Sequence, residues 1–295
     1  MNIPFNLGNK NAIITGASRG LGLEIARHFI KSGVANLAIC ARDESVLNNA
    51  AAELSQLADV GQKILSMPVD IADFDQISGF CQKTIDEFGH IHILVNNAGV
   101  YGPKGQTESI DWNEWQNAMS INLNGSVLMC LNLLPHFKKN RYGKIIQVSG
   151  GGATNPMPYL AAYAVSKTAI VRFIESLAHE LRDFNIDANC IAPGLLDTRL
   201  LDEVLNAGSE IVGKDFHDRM AQSKSAGNTT PLSFGAELAT FLASEASDGI
   251  TGRLISAKWD NWREWPNHLE ELQNSDLYTL RRISGRDRGK TWGDK

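Results

Sequence analysis

Cysteine is sparse and scattered. Cys40, Cys81, Cys130 and Cys190 lie far apart, mostly inside apolar runs. They show neither the paired spacing of a metal site nor the density of a disulfide framework, so they read as buried reduced thiols. No run of about 18 consecutive apolar residues occurs, and residues 1–10 lack both the basic start and the apolar stretch of a signal peptide. A cytoplasmic location with no membrane partner is therefore expected. A long basic block is also missing and the formal charge is -5, which argues against nucleic acid as a partner, because neutralising phosphates takes clustered cations. No metal-ligand cluster and no internal repeat are evident, and no metal is expected. What the chain does have is apolar content: 43% hydrophobic against 21% charged residues, enough for a substantial core. Its 295 residues fit one large α/β unit with an appendage.

Short β-like runs at 12–15, 37–40, 64–69, 93–96, 144–148, 187–191 and 254–256 alternate with helical segments. That alternation predicts a doubly wound α/β fold, a parallel sheet of about seven strands with helices on both faces. The first helix should start near Gly20, because Leu21, Ile25 and Phe29 recur every fourth residue and Gly33 supplies a stop. A second spans 160–184, with Ile170, Ile174, Leu177 and Leu181 on one stripe. Two regions break the rhythm. Segment 195–231 is polar and only partly helical, with Gly208, Gly213 and Gly227, and reads as a mobile insertion within a domain 1–257. The extension 258–295 holds Trp259, Trp262, Trp265 and Trp292 but is too polar for a core of its own. It should pack its aromatics on the domain or on a neighbouring subunit, or close over the site as a lid.

Between the first strand and the first helix lies Thr15-Gly16-Ala17-Ser18-Arg19-Gly20-Leu21-Gly22. Glycines there permit a tight turn and close approach of a pyrophosphate, which then meets free amides and the positive end of the helix dipole. The spacing is G-x-x-x-G-x-G, not the general G-x-G-x-x-G dinucleotide fingerprint.

Taken with Asp70-Ile71, Asn96-Asn97-Ala98-Gly99, Asn122, Tyr163-Ala164-Val165-Ser166-Lys167 and Pro193-Gly194 with Thr198, all in order, this turn makes the chain resemble the short-chain dehydrogenase/reductase family, in its single-domain branch. The resemblance spans about residues 10–257. It implies a Rossmann-type domain holding a nicotinamide dinucleotide. By the family's pattern Gly16, Ser18, Arg19, Gly20, Leu21 and Gly22 cradle the pyrophosphate, and Asp70 beside Ile71 meets the adenine. Asn96, with Ala98 and Gly99, supports the central strand near the adenosine ribose. Thr198, after Pro193 and Gly194, holds the nicotinamide amide or the pyrophosphate.

Where NAD-preferring relatives place an acid after the second strand, this chain has Ala41 and Arg42. Arg42 offers a planar, permanently charged fork to a 2'-phosphate and Arg19 can reach the same group, so NADP is favoured. Asp43 and Glu44 stand next to them and leave NAD open. Tyr163 and Lys167, four residues apart, share a helix face; an ammonium there stabilises phenolate, and Lys167 can also contact the nicotinamide ribose. The resemblance gives Asn122 a backbone kink and a relay water. The family's usual serine, 13 residues before the tyrosine, is replaced by Gly150. Ser149 sits one residue early, and neighbours on a strand face opposite sides. Gly150-Gly151-Gly152 is flexible enough to bring Ser149 or Thr154 to a substrate oxygen, to present main-chain amides, or to make room for a bulky substrate. Ser149 is retained as the fourth candidate.

The expected activity is oxidoreduction between an alcohol and a carbonyl. A sugar-nucleotide dehydratase or epimerase with a retained dinucleotide, and a non-catalytic dinucleotide-binding regulator, are the alternatives. Lys214, His217, Arg219 and Lys224 are candidates for a phosphate or carboxylate on the substrate, although Asp215 and Asp218 make a solvated mixed-charge helix the stronger reading. The resemblance also implies a homodimer or homotetramer in which helices around 112–136 and 160–184 pair.

Overall fold

The computed structural model describes residues 5–292; the first four residues of the expected domain and the last three of the extension lie outside the described residues. Its strands are β1 (Asn11–Thr15), β2 (Asn36–Ala41), β3 (Lys63–Pro68), β4 (Ile93–Asn96), β5 (Gly143–Val148), β6 (Ile186–Ala192) and β7 (Leu254–Ser256). Every expected run matches to within one residue at each end. All pair in parallel, in the order β3-β2-β1-β4-β5-β6-β7. Chain order therefore reverses between β1 and β4, and in such sheets a crevice opens there, beyond the carboxyl ends of the strands.

The helices are α1 (Gly20–Lys31), α2 (Glu44–Leu57), α3 (Phe74–Phe88), α4 (Trp112–Met119), α5 (Gly125–Asn140), α6 (Ala161–Glu180), α7 (Arg199–Ala207), α8 (Ser209–Val212), α9 (Lys214–Ser225), α10 (Leu232–Ala243) and α11 (Leu269–Gln273). Because side chains alternate along a strand, neighbouring core residues serve opposite layers. Ile14 packs with Phe29 of α1, Leu47 of α2 and Phe241 of α10. Ile13 joins Phe80 of α3, Met129 and Phe137 of α5 and Ile174 of α6. This two-layer demand explains why the strands read as almost continuous apolar runs.

Helix ends follow local chemistry. Asp43, Asp73 and Asp111 cap α2, α3 and α4 by accepting from the amides of Val46, Gln76 and Glu114. At the end of α1, Gly33 adopts φ +81 while its amide and that of Val34 bond back to Ile30 and Phe29.

Three features refine the sequence expectations. The run from Trp112 to Asn140 is broken by a π-helical turn, Ser120–Asn124. The run has the length and composition of a membrane span, but it packs as a core helix with Met129, Cys130, Leu133 and Phe137 buried. Segment 195–231 is mostly helical, folding into α7, α8 and α9 around Gly208 and Gly213, because its few apolar residues find a wall to pack on. Finally, the extension shares the domain's own core. Trp262 and Trp265 are buried with Phe5 and Phe241, and Trp265 lies 4.3 Å from the Tyr278 ring. The Arg253 guanidinium binds the carbonyls of Leu272, Ser275 and Leu277, and the amide of Leu254 donates to Tyr278. The extension thus covers β7, an edge strand whose unpaired groups would otherwise invite another chain.

Candidate active site

A cavity of about 1320 Å³ opens at the crevice. That exceeds the roughly 300–1,000 Å³ of ordinary small-ligand pockets, leaving room for a dinucleotide with a substrate beside it. At one end lies the glycine turn. Gly16 (φ +64) and Gly22 pack so closely on the loop after β4 that a β-carbon on either would fall under 3.0 Å from Ala98 or Asn97. At Gly20 (φ +57) a β-carbon would meet only the Thr198 methyl, at an ordinary 3.6 Å. Unlike the next three helices, α1 has no side-chain cap and no acid in its first turn. Its leading amides are left for an anion, and the turn fits a pyrophosphate.

Asn97 holds this arrangement. Its side-chain amide donates to the carbonyls of Thr15 and Gly16, both at 3.0 Å, while its backbone amide and that of Ala98 donate to the Thr15 hydroxyl. Nothing in the sequence around Asn97 marks it out; only the contact across 82 residues reveals its role. Most expected cofactor contacts, among them Ser18, Arg19, Leu21, Ile71, Ala98, Gly99, Pro193, Gly194 and Thr198, do line the cavity. Gly22, Asp70 and Asn96 are not among the lining residues. Asp70 closes its own turn by accepting from Ala72, and Asn96 points toward α5, donating to Ser126.

Arg42, just after β2, and Arg19, in the glycine turn, both line the cavity. Asp43 also lines the cavity; one oxygen caps α2 and the other lies 4.0 Å from Arg19, both side chains being about half exposed.

The other end of the cavity holds Tyr163, Lys167 and Ser149. Lys167 is buried, donates to the Val148 carbonyl at 3.0 Å, and has its ammonium 5.8 Å from the Tyr163 ring centre. Burial lowers the Lys167 pKa to about 8. Burial raises that of Tyr163 well above its ordinary value, and the neighbouring Tyr101 adds to the rise. The expected depression of the phenol by the ammonium is therefore not what dominates here; enclosure of the ring keeps it protonated.

Asn122, fully buried inside the π-helical turn, accepts from the Val100 amide and donates to the Val100 carbonyl, each at 2.8 Å, and also donates to the Ser166 hydroxyl. It clamps the loop after β4 to α6. Gly99 lies between: a β-carbon there would sit 3.3 Å from Asn122 Oδ1 and 3.4 Å from Lys167 Nζ. Ser149 is turned away from the tyrosine, its hydroxyl facing the Lys167 carbonyl at 3.4 Å. Gly150, at the serine position, lies directly beneath the Tyr163 hydroxyl.

The remaining wall is mixed, with Thr154, Asn155, Asp197 and Arg199 beside an apolar face. Phe216 and Met220 of α9, Met157 and Leu200 line it with Tyr101, and Trp259 of the extension joins at the rim. The four cationic candidates of this region do not. Lys224 pairs with Asp197 and Asp202, His217 faces the Leu205 carbonyl and Asp218, and neither Lys214 nor Arg219 reaches the cavity. The four-residue spacing of Phe216 and Met220, one face of an otherwise polar helix, was the signal for this wall.

Residues 10–208 match the short chain dehydrogenase family. The chain is 32% identical over 250 residues to the 3-oxoacyl-[acyl-carrier-protein] reductase FabG of Chlamydia muridarum, covering 85% of this chain and 96% of that one. It is also 32% identical over 247 residues to dehydrogenase/reductase SDR family member 4 of Caenorhabditis elegans, covering 83% and 92%. In fold it is similar to levodione reductase (TM-score 0.78, 23% identity, 89% of this chain and 99% of that one). NAD+-bound xylitol dehydrogenase is comparable (TM-score 0.77, 23% identity, 85% and 98%). The chain belongs to the short-chain dehydrogenase/reductase family and is an NAD(P)-dependent oxidoreductase.

Proposed function

We propose that the protein reduces a carbonyl on a bulky, largely apolar substrate, using NADPH in preference to NADH, with Tyr163 as the proton donor. The observation that carries this reading is the placement of the Tyr163 ring and the buried Lys167 beside an apolar wall, in one cavity with the glycine turn. When bound, the nicotinamide group supplies the hydride that adds to the carbonyl carbon, or accepts it in the reverse direction. Tyr163 gives its hydroxyl proton to the carbonyl oxygen, so that hydride and proton together make the alcohol; in reverse the phenolate takes the proton back. A phenol held protonated by burial suits reduction near neutral pH.

Lys167 is fixed by Val148 and by its packing near Asn122 and Gly99, from where it can return a proton to Tyr163 and hold the ribose. Asn122 positions the loop after β4. Arg42 and Arg19 supply the charge for a 2'-phosphate, supported by the absence of an acid at position 41 and by the engagement of Asp43 as a cap. Exposed Trp112, Leu131 and Val165 on the outer faces of α4, α5 and α6 support a homodimer or homotetramer.

The test is a panel of aromatic and aliphatic ketones assayed with NADPH and NADH beside Tyr163→Phe. Turnover that needs Tyr163 and prefers NADPH supports the reading. NADPH binding without turnover across the panel would point to a regulator, and substrate conversion without net cofactor oxidation to a retained-cofactor enzyme.

A further inference from the structure

With Gly150 in place of a serine and the Ser149 hydroxyl directed to the Lys167 carbonyl of α6, no side-chain hydroxyl stands at the family's usual serine position, while Thr154 lines the cavity and accepts from Asn155. We infer that Tyr101 supplies the second donor to the substrate oxygen. This rests on the oxidoreductase reading above and adds a residue to it.

Tyr101 follows the glycine-containing loop after β4 and lines the same cavity as Tyr163. The two rings lie 4.7 Å apart at 56°, a tilted contact that places two phenols side by side. Among the described residues neither hydroxyl has a hydrogen-bond partner, so both remain available to a ligand. Neither hydroxyl is sealed from solvent, so a polar ligand atom can reach both.

The backbone on both sides of Tyr101 is locked. Val100 has both its amide and its carbonyl held by Asn122. Gly102 takes φ +72 in a turn so tight that a β-carbon would lie 2.6 Å from that of Ala118. Tyr101 is therefore presented by a fixed loop, as a donor to a developing oxyanion must be if it is to need no reorganisation. Asn122 acquires a second use: through Val100 it sets the position of Tyr101.

Gly150 and Tyr101 are then two halves of one arrangement. The missing β-carbon lets the Tyr163 hydroxyl settle over Gly150, and Tyr101 flanks the Tyr163 ring in the same cavity. In reduction, Tyr163 transfers its proton to the carbonyl oxygen, while Tyr101 donates a hydrogen bond to that oxygen and keeps its own proton.

Tyr101→Phe keeps the ring and removes only the hydroxyl. With the ketone from the panel that the wild type reduces fastest, kcat should fall on the order of 10- to 100-fold. KM should stay within about threefold, and NADPH affinity, read by quenching of protein fluorescence, should be unchanged. A kcat within twofold of wild type while Tyr163→Phe is inactive overturns the Tyr101 role and leaves the oxidoreductase reading standing. A loss of that size in Ser149→Ala or Thr154→Val, with Tyr101→Phe fully active, transfers the role to that hydroxyl. A wild type idle on the whole panel overturns both readings.

Discussion

The hydroxyl of Tyr163 occupies the space in which a β-carbon on Gly150 would stand, at a separation no real β-carbon shows. The two positions are mutually dependent: the tyrosine can adopt this pose only because residue 150 is glycine. Gly150 takes extended backbone angles that any residue can adopt, so the requirement is one of space and not of conformation.

Restoring the family's serine should therefore harm the enzyme. Gly150→Ser and Gly150→Ala are expected to lower kcat about 100-fold or more, because displacing a reacting group by roughly 1 Å costs that much. Melting temperature and NADPH affinity should change little. Steady-state kinetics and cofactor titration check this, and a Gly150→Ser enzyme as fast as wild type would contradict it.

The pH profile follows from two groups. Lys167, with its pKa lowered to about 8, is cationic below that value and neutral above it. Ketone reduction should be level from about pH 6 to 7 and fall above about pH 8 as the ammonium is lost. Alcohol oxidation should rise with pH over the same range, since it needs the phenolate of Tyr163, whose pKa burial raises. Parallel profiles in the two directions would refute the assignment.

The proposed preference for NADPH rests on two exposed arginines. Arg42→Ala should weaken NADPH binding about tenfold or more, the loss expected for a charge-assisted pair, and leave NADH binding within about twofold. Isothermal calorimetry with both cofactors reads this directly; equal losses for the two would mean that Arg42 does not meet the 2'-phosphate.

Acid stability should be governed by three histidines at the far end of the sheet. His90 lies 4.0 Å from His92 and 5.6 Å from His136. His92 Nδ1 accepts from the Asn11 amide and His136 Nε2 from the Ile91 amide, bonds that require neutral rings. Burial first, then mutual repulsion and Lys10, lower the pKa of His92 to about 4. The unfolded chain, with histidine near 6.5, takes up the proton first, so this stability is complete above about pH 6.5 and is lost as pH falls toward 4. Discounting for the partly exposed ring, the loss is about 2 kcal/mol, or roughly 4 °C in melting temperature. His92→Gln should flatten that slope in a calorimetric pH series; an unchanged slope would remove His92 as its source.

Deleting the chain after Ala257 removes Trp262 and Trp265 from the core and uncovers β7. Loss of one such tryptophan alone costs about 3–5 kcal/mol. The truncated protein should melt markedly lower and associate through the exposed edge, seen by light scattering. A monodisperse truncation with an unchanged melting point would show that the extension is dispensable to the fold.

Much of the fold was legible beforehand because a doubly covered parallel sheet imposes a local signal: four- to seven-residue apolar runs between helical stretches. The cofactor turn was legible for the same reason, its glycines and the helix start being contiguous. Less visible was 195–231, whose sparse apolar residues fold it into helices only where Leu201, Val204 and Val212 are buried against the domain. Tail tryptophans could be counted, but nothing local separated Trp262, which is buried, from Trp259, which is 77% exposed.

By itself, then, the order of residues determined the layered fold, the glycine turn for a dinucleotide and the Tyr163–Lys167 helix face, since each depends on contacts within one turn or one strand. Only the tertiary structure decided that Ser149 faces α6, that Gly150 makes room for the Tyr163 hydroxyl, and that Tyr101 stands beside it. Those relations join β5, α6 and the loop after β4, segments brought together by the sheet order and by the Asn122 clamp. No sequence spacing encodes that a β-carbon at position 150 would stand 2.3 Å from the Tyr163 hydroxyl.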